Sequence, residues 1–276
     1  RTAVVLFNLG GPDKPASVQP FLNNLFLDPA IISVPQPFRW LLAKFISTRR
    51  APIAEKIYAE IGGKSPLLDL TIEQANALEK ACEDFGNVKF FVCMRYWHPM
   101  SKEVVQQVKD FIPDQIVLLP LYPQFSTTTS GSSFDDWKRA AKFAGLTTKT
   151  IEVCCYPEID GWIEAQADLV KKAIGKVTNG VSLRVLFSAH GLPKKVIEKG
   201  DPYQWQVEQT SQAVVNKLAI DNLDWVVCYQ SQVGPLEWIG PSTDDEIDRA
   251  GKDSISIVVV PIAFVSEHSE TLVELD

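Results

Sequence analysis

Apolar residues along this chain follow two rhythms. Short runs rich in Val, Ile, Leu and Phe occupy residues 3–9, 88–94, 116–121, 149–154, 183–189, 225–229 and 255–262. Near-continuous runs of that length suit parallel strands buried on both faces. Between them lie longer stretches with apolar residues three and four apart, the spacing of one-faced helices. In one, Thr71 and Gln74 can form a capping box, Ile72, Ala75, Leu78 and Cys82 follow at steps of three and four, and Gly86 suits the stop. The alternation predicts an α/β protein whose parallel sheets are covered by helices.

The strand pattern repeats. Val5-Leu6-Phe7 before Asn8-Leu-Gly-Gly-Pro12 matches Val185-Leu186-Phe187 before Ser188-Ala-His-Gly-Leu-Pro193, and residues 116–121 match 257–262. Cys93 and Cys228 hold similar places in the strands between. Two similar Rossmann-like domains are expected, over residues 1–150 and 151–276, joined somewhere in 145–180. The bland alternative is that buried parallel strands look alike anyway. Open parallel sheets place ligands beyond their strands' carboxyl ends, so a ligand cleft between the two domains is expected there.

The length of 276 residues agrees with two domains, and 46% hydrophobic residues fill two cores. With 27 Lys and Arg against 34 Asp and Glu, the net charge of −7 leaves no basic stripe for nucleic acid. The longest apolar run, 258–265, is far short of the ~18 residues a membrane span needs, so the expectation is a soluble protein or one lying on a membrane. No cleavable signal opens the chain, and its start at Arg1 reads as processed or cut. Five cysteines without a CxxC pair read as buried thiols in a reducing compartment.

Four segments carry candidate chemistry. His190 ends a strand beside Gly191, where an imidazole can exchange protons near neutral pH; its bland alternative is a core histidine bonded to a carbonyl. Ser266 can cap a helix on which Glu267, Glu270 and Glu274, with His268 among them, set carboxylates along one face. Like charges in file need solvent, a proton or a cation, and these donors suit Fe²⁺, Zn²⁺ or Co²⁺. The hydroxyl-rich stretch 122–133 could hold an anion at a helix start and reads as the cleft's opposite wall. Residues 21–46 are strongly apolar with Arg39, Lys44, Arg49 and Arg50 among or behind them. They read as core by default, or as an apolar lip for a flat carboxylate-bearing ligand or an anionic membrane surface.

Together these segments resemble the ferrochelatase family. The resemblance rests on Leu6-Phe-Asn-Leu-Gly-Gly-Pro12, Gly62-Gly-Lys-Ser-Pro66, Arg95-Tyr-Trp-His-Pro99, Tyr122-Pro-Gln-Phe-Ser126, Phe187-Ser-Ala-His-Gly-Leu-Pro193, Tyr229-Gln-Ser-Gln-Val-Gly-Pro235, Trp238-Ile-Gly-Pro241 and residues 262–276. It implies a two-domain chelatase fold that inserts Fe²⁺ into protoporphyrin IX, makes protoheme and releases two protons. It also implies that His190 and Glu270 face each other across the macrocycle as catalytic and metal-handling groups, with Glu267, His268 and Glu274 as a proton or metal relay. By the same matching, Arg49, Arg50 and Ser65 look like propionate partners, Tyr58, Arg95, Tyr96 and Trp238 like pocket residues, and Leu9 like a cleft-wall residue.

Such chemistry needs a base for the pyrrole N–H groups and a site that binds the ring bent, since a flat porphyrin hides its nitrogen lone pairs. Neutral His190 is the expected base. Thr127 stands where some relatives place an internal cluster cysteine and no C-terminal cysteine trio is present, so no 2Fe–2S cluster and no resident cofactor are expected. The chain stops at Asp276, where relatives continue for several elements. Action at the cytoplasmic face of the inner membrane is expected, with residues 21–46 meeting the membrane surface. Alternatives are a related chelatase for another tetrapyrrole or metal, and a non-catalytic heme- or metal-binding protein.

Overall fold

The computed structural model describes residues 1–177, 182–232 and 236–275, the Glu274 side chain excepted. The tail of the Tyr229–Pro235 motif therefore lies outside the described residues. The chain forms two compact units. The first comprises Arg1–Tyr122, Thr127–Cys154 and Val265–Asp276; the second comprises Pro123–Ser126 and Cys155–Phe264.

In the first unit β1 (Thr2–Asn8) leads through α1 (Val18–Leu27), α2 (Phe38–Glu60) and α3 (Leu67–Ala81) to β2 (Val88–Met94). Then come α4 (Ser101–Phe111), β3 (Gln115–Pro120), α5 (Ser132–Ala144) and β4 (Thr150–Glu152). The sheet is parallel, in the order β2-β1-β3-β4. The second unit holds α6 (Asp160–Ile174), β5 (Leu183–His190), α7 (Lys194–Glu198) and α8 (Tyr203–Leu218). It continues with β6 (Asp224–Gln230), α9 (Thr243–Asp253) and β7 (Ser256–Pro261) in a parallel sheet ordered β6-β5-β7.

All seven expected strands form, and the first three strands of each sheet share one order with the earliest strand in the middle. The central strands are buried along nearly their whole length, as runs without polar alternation require. On one side of β1, Val4 and Leu6 pack with Ala75 of α3 and Leu121; on the other, Phe7 meets Phe134 and Trp137 of α5 edge-on. In the second unit Val185 and Phe187 pack with Ile163, Ala167 and Val170 of α6 and Val207 and Val214 of α8.

Four expectations are corrected. First, α3 begins after Pro66 and not at Thr71: proline fixes the φ that starts the helix, and Thr71 turns inward, donating to Leu67 O and accepting from Asn8 Nδ2. The helix ends at Ala81, before a short turn that reaches Gly86. Second, residues 265–276 belong to the first unit and not to a domain spanning 151–276; Gln74 Nε2 of α3 donates to Val265 O at 2.7 Å.

Third, the thiols are not uniformly buried. Cys93 and Cys228 are buried, where desolvation pushes them up to about 12 and about 11 and keeps them un-ionised. Cys154 is exposed, and Cys82 and Cys155 are half-buried. Fourth, residues 21–46 are core only in part: Phe21, Leu22 and Ala43 are buried, whereas Phe38, Trp40, Leu41 and Phe45 are exposed. Among the described residues no helix is long and apolar enough to cross a membrane.

Candidate active site

In the first unit the chain beyond β1 is held by the chain beyond β2. Arg95 N–H donates to Asn8 O and Tyr96 N–H to Leu9 O, at 2.9 and 3.0 Å. Leu9 then packs into a cluster with Val18, Phe21, Tyr58 and Tyr96. Gly11 lies against Ser65 so closely that a Cβ there would come within 2.4 Å of Ser65 Cβ, with the Tyr58 hydroxyl 3.7 Å away. Ser65 is fixed by its N–H to Pro12 O at 2.8 Å, and its Oγ accepts from Leu67 N. Leu9, Tyr58, Ser65 and Tyr96 are thus gathered around one short stretch of backbone.

The terminal segment reaches the same place. Burial pushes the Tyr58 phenol above its ordinary value; a hydrogen bond with Ser269 opposes this, and the negative Glu270 reinforces it. Ser269 therefore contacts Tyr58, and Glu270 lies within electrostatic reach of it. Its turn is not the expected helix capped at Ser266. A wide turn spans Glu270–Glu274, closed by Leu275 N–H donating to Glu270 O over five residues.

Glu267 precedes this turn, so it does not share a helical face with Glu270 and Glu274. Its exposed carboxylate instead accepts from the buried Thr271 hydroxyl, which also receives His268 N–H. Glu270 N–H donates to His268 Nδ1 at 3.2 Å, which places the proton of a neutral His268 on Nε2. The Glu274 side chain lies outside the described residues.

Arg95 and Tyr96 are tied to an acid that sequence reasoning passed over. Asp28, at the C-terminal cap of α1, is buried, and its Oδ2 accepts from Arg95 Nη2 at 2.8 Å, Tyr96 Oη at 2.7 Å and Ser132 Oγ. Burial alone would raise this carboxyl, but Ser132, the Arg95 cation and Ala30 N–H hold it below its ordinary value. The signal was present as the one acid in the apolar run 21–34. A wide turn at Thr127–Gly131 runs directly into α5, whose first residue Ser132 is already engaged by Arg95 and Asp28. The anion reading of 122–133 gains nothing from it.

In the second unit His190 is the last residue of β5, half-buried, paired in register with Gln230. Behind it Ser188 Oγ donates to Gln230 Oε1 and shares a hydrogen bond with Thr243, each at 2.8 Å. Gly191 N–H donates to Gln230 O, and a Cβ at Gly191 would come within 2.9 Å of that oxygen and 3.3 Å of the Trp238 ring. Trp238 therefore packs against Gly191, the residue that follows His190.

Arg49 and Arg50 are exposed on α2. Arg49 is nine residues, half a helical rotation, from Tyr58, and lies over the Phe45 ring at 5.4 Å. The structure does not bring it to the Tyr58 side of the helix. Among the described residues no three His, Cys, Asp or Glu side chains are grouped as a metal-holding set.

The sequence profile of the family described as Ferrochelatase matches residues 1–276. A ferrochelatase of Caulobacter vibrioides is 56% identical over 279 residues, covering 100% of this chain and 79% of that relative. One of Wolbachia sp. subsp. Drosophila simulans is 54% identical, over 100% of this chain and 88% of the relative, and one of Pelagibacter ubique is 53% identical, over 100% and 80%. By this match over its whole length and these relatives, the chain belongs to the ferrochelatase family of metal chelatases, lyases that insert ferrous iron into protoporphyrin in heme synthesis.

Proposed function

We propose that His190 and Glu270 divide the insertion chemistry between them, with protoporphyrin IX and Fe²⁺ as substrates and protoheme as product. Two pyrrole protons must leave as one dication enters, so charge balances without any redox step. Neutral His190 accepts a pyrrole proton. Glu270 guides the incoming ion as it sheds water or carries the second proton, with Glu267, His268 and Glu274 extending that path to solvent. Leu9, Tyr58, Ser65, Arg95 and Tyr96 of the first unit and Trp238 of the second supply the walls that hold the ring.

The observation that carries this reading is the gathering of Leu9, Tyr58, Ser65 and Tyr96 beside Glu270, although Glu270 is far from all of them in sequence. The test is absorbance-monitored metallation of protoporphyrin by Fe²⁺, Zn²⁺ and Co²⁺, repeated with other porphyrins. Turnover of protoporphyrin with Fe²⁺ supports the reading. Preference for another tetrapyrrole points to a related chelatase, and tight binding without turnover points to a carrier.

We also propose that the exposed face of α2 meets an anionic membrane surface on the cytoplasmic side. Phe38, Trp40, Leu41 and Phe45 are exposed there, with Lys44 over the Trp40 ring and Arg49 over Phe45. Apolar groups rimmed by cations suit partial insertion under anionic headgroups. Arg49 and Arg50 would then serve either that surface or the propionates of an arriving porphyrin. Vesicle flotation with and without phosphatidylserine tests it: flotation only with the anionic lipid supports it, and none with either lipid contradicts it.

A further inference from the structure

The Asp28 cluster is a closed ring of interactions. Arg95 Nη2 donates to Asp28 Oδ2, Ser132 Oγ donates to the same oxygen, and Arg95 Nε donates back to Ser132 Oγ at 2.7 Å. The Tyr96 phenol makes a further bond to that oxygen, and the guanidinium lies over the Tyr96 ring at 4.8 Å. The other carboxylate oxygen accepts Ala30 N–H at 2.9 Å. Asn24 Nδ2 of α1 adds a bond to Tyr96 O at 3.1 Å. Three separate segments therefore meet at one carboxylate: the end of α1, the exit of β2 and the start of α5.

The consequence for Arg95 is specific. A free guanidinium offers five donors and would capture any carboxylate in reach. Here its charge is already neutralised by Asp28 and its plane is set by the Asp28 and Ser132 bonds, so it acts as a rigid backing for the Tyr96 ring. Tyr96, whose N–H holds Leu9 O, in turn shapes the cluster containing Leu9 and Tyr58. A buried carboxylate with this many donors is a costly arrangement to keep unless it fixes geometry, because losing its charge leaves Arg95 only the more distant Asp136, at 3.8 Å, as an ionic partner.

We propose that Asp28 is a positioning residue for the tetrapyrrole: through Arg95 and Tyr96 it fixes the wall against which the macrocycle packs, without touching the substrate itself. This rests on the proposed placement of porphyrin beside Leu9, Tyr58 and Tyr96. It differs from a merely structural role in acting on porphyrin affinity and not on the metal.

The experiment compares wild type, Asp28→Asn and Tyr96→Phe. Protoporphyrin Kd is read by quenching of tryptophan fluorescence, and KM for porphyrin and for Zn²⁺ by steady-state metallation. Asp28→Asn is expected to raise porphyrin Kd and KM about tenfold, the loss expected when a charged hydrogen-bond partner is removed, and to leave KM for Zn²⁺ within about twofold. Tyr96→Phe, which removes only the phenol bond, is expected to raise porphyrin Kd about threefold. Unchanged porphyrin Kd in Asp28→Asn overturns the proposal, as does an equal rise of both KM values. Should Asp28→Asn not fold, Tyr96→Phe decides by the same criterion. Wild type that binds porphyrin but does not metallate it sinks the catalytic reading and leaves the Kd comparison to judge Asp28. Wild type that does not bind porphyrin sinks both.

Discussion

The two units use one strand order for different purposes. At the end of β1, Asn8 and Leu9 are stitched to Arg95 and Tyr96, and Gly11 is pressed against Ser65; β5 ends on His190 and runs into Gly191, backed by a buried Ser188–Gln230–Thr243 set. The end of the central strand thus runs into an apolar cluster in the first unit and carries an ionisable side chain in the second. The lesson is that topology chooses where a site is built, at the carboxyl end of the central strand, and the few residues after that strand choose its chemistry.

The sharpest way to break the comparison is to remove the ionisable group. His190→Ala should lower the rate of porphyrin metallation about 10³-fold while porphyrin still binds, by rapid-mixing absorbance and fluorescence titration. A variant that lost porphyrin binding alone would make His190 a binding residue and not the proton acceptor. Glu270→Gln should cost about 10²-fold in the same assay, because the amide keeps the shape of the turn and loses only charge and proton.

The two glycines sharpen the contrast in stability. Gly11→Ala drives a Cβ into Ser65 Cβ, whereas Gly191→Ala meets the Gln230 carbonyl and the Trp238 ring at longer range. Gly11→Ala should therefore cost more, about 3 kcal/mol against about 2 kcal/mol, by urea unfolding. Equal losses would mean that the Ser65 loop gives way freely.

Acid stability separates the units by a smaller margin. The folded Asp28 carboxyl lies below its ordinary value, so the unfolded chain binds more protons there and the contribution is present above about pH 4. It is lost as pH falls through the depressed value. Below about pH 4, Asp28→Asn should lose stability less steeply than wild type in unfolding curves; parallel slopes would contradict the assignment.

Much of the fold was legible because buried parallel strands leave apolar runs that nothing else in a chain of this length imitates. The strand end at His190 was legible for the same reason, since Gly191 interrupts the run at once. The return of residues 265–276 to the first unit was not, because it depends on tertiary contacts such as Gln74 with the Val265 carbonyl, which leave no local pattern. Nor was the wide turn at Glu270: spacing of three and four predicts an ordinary helix, and only the bond from Leu275 to Glu270 reveals the extra residue. The exposed α2 face was ambiguous in principle, since Phe38, Trp40 and Phe45 are equally suited to a core or a lip. Asp28 was readable as a lone acid in an apolar run, yet its partners come from two distant segments.

The proposal that His190 and Glu270 serve a single reaction is tested most directly by a double-mutant cycle on single-turnover metallation. If the two act as one catalytic set, the doubly substituted His190→Ala/Glu270→Gln enzyme will be little slower than His190→Ala alone. Losses that multiply in full, or a Glu270→Gln rate equal to wild type, would contradict the account.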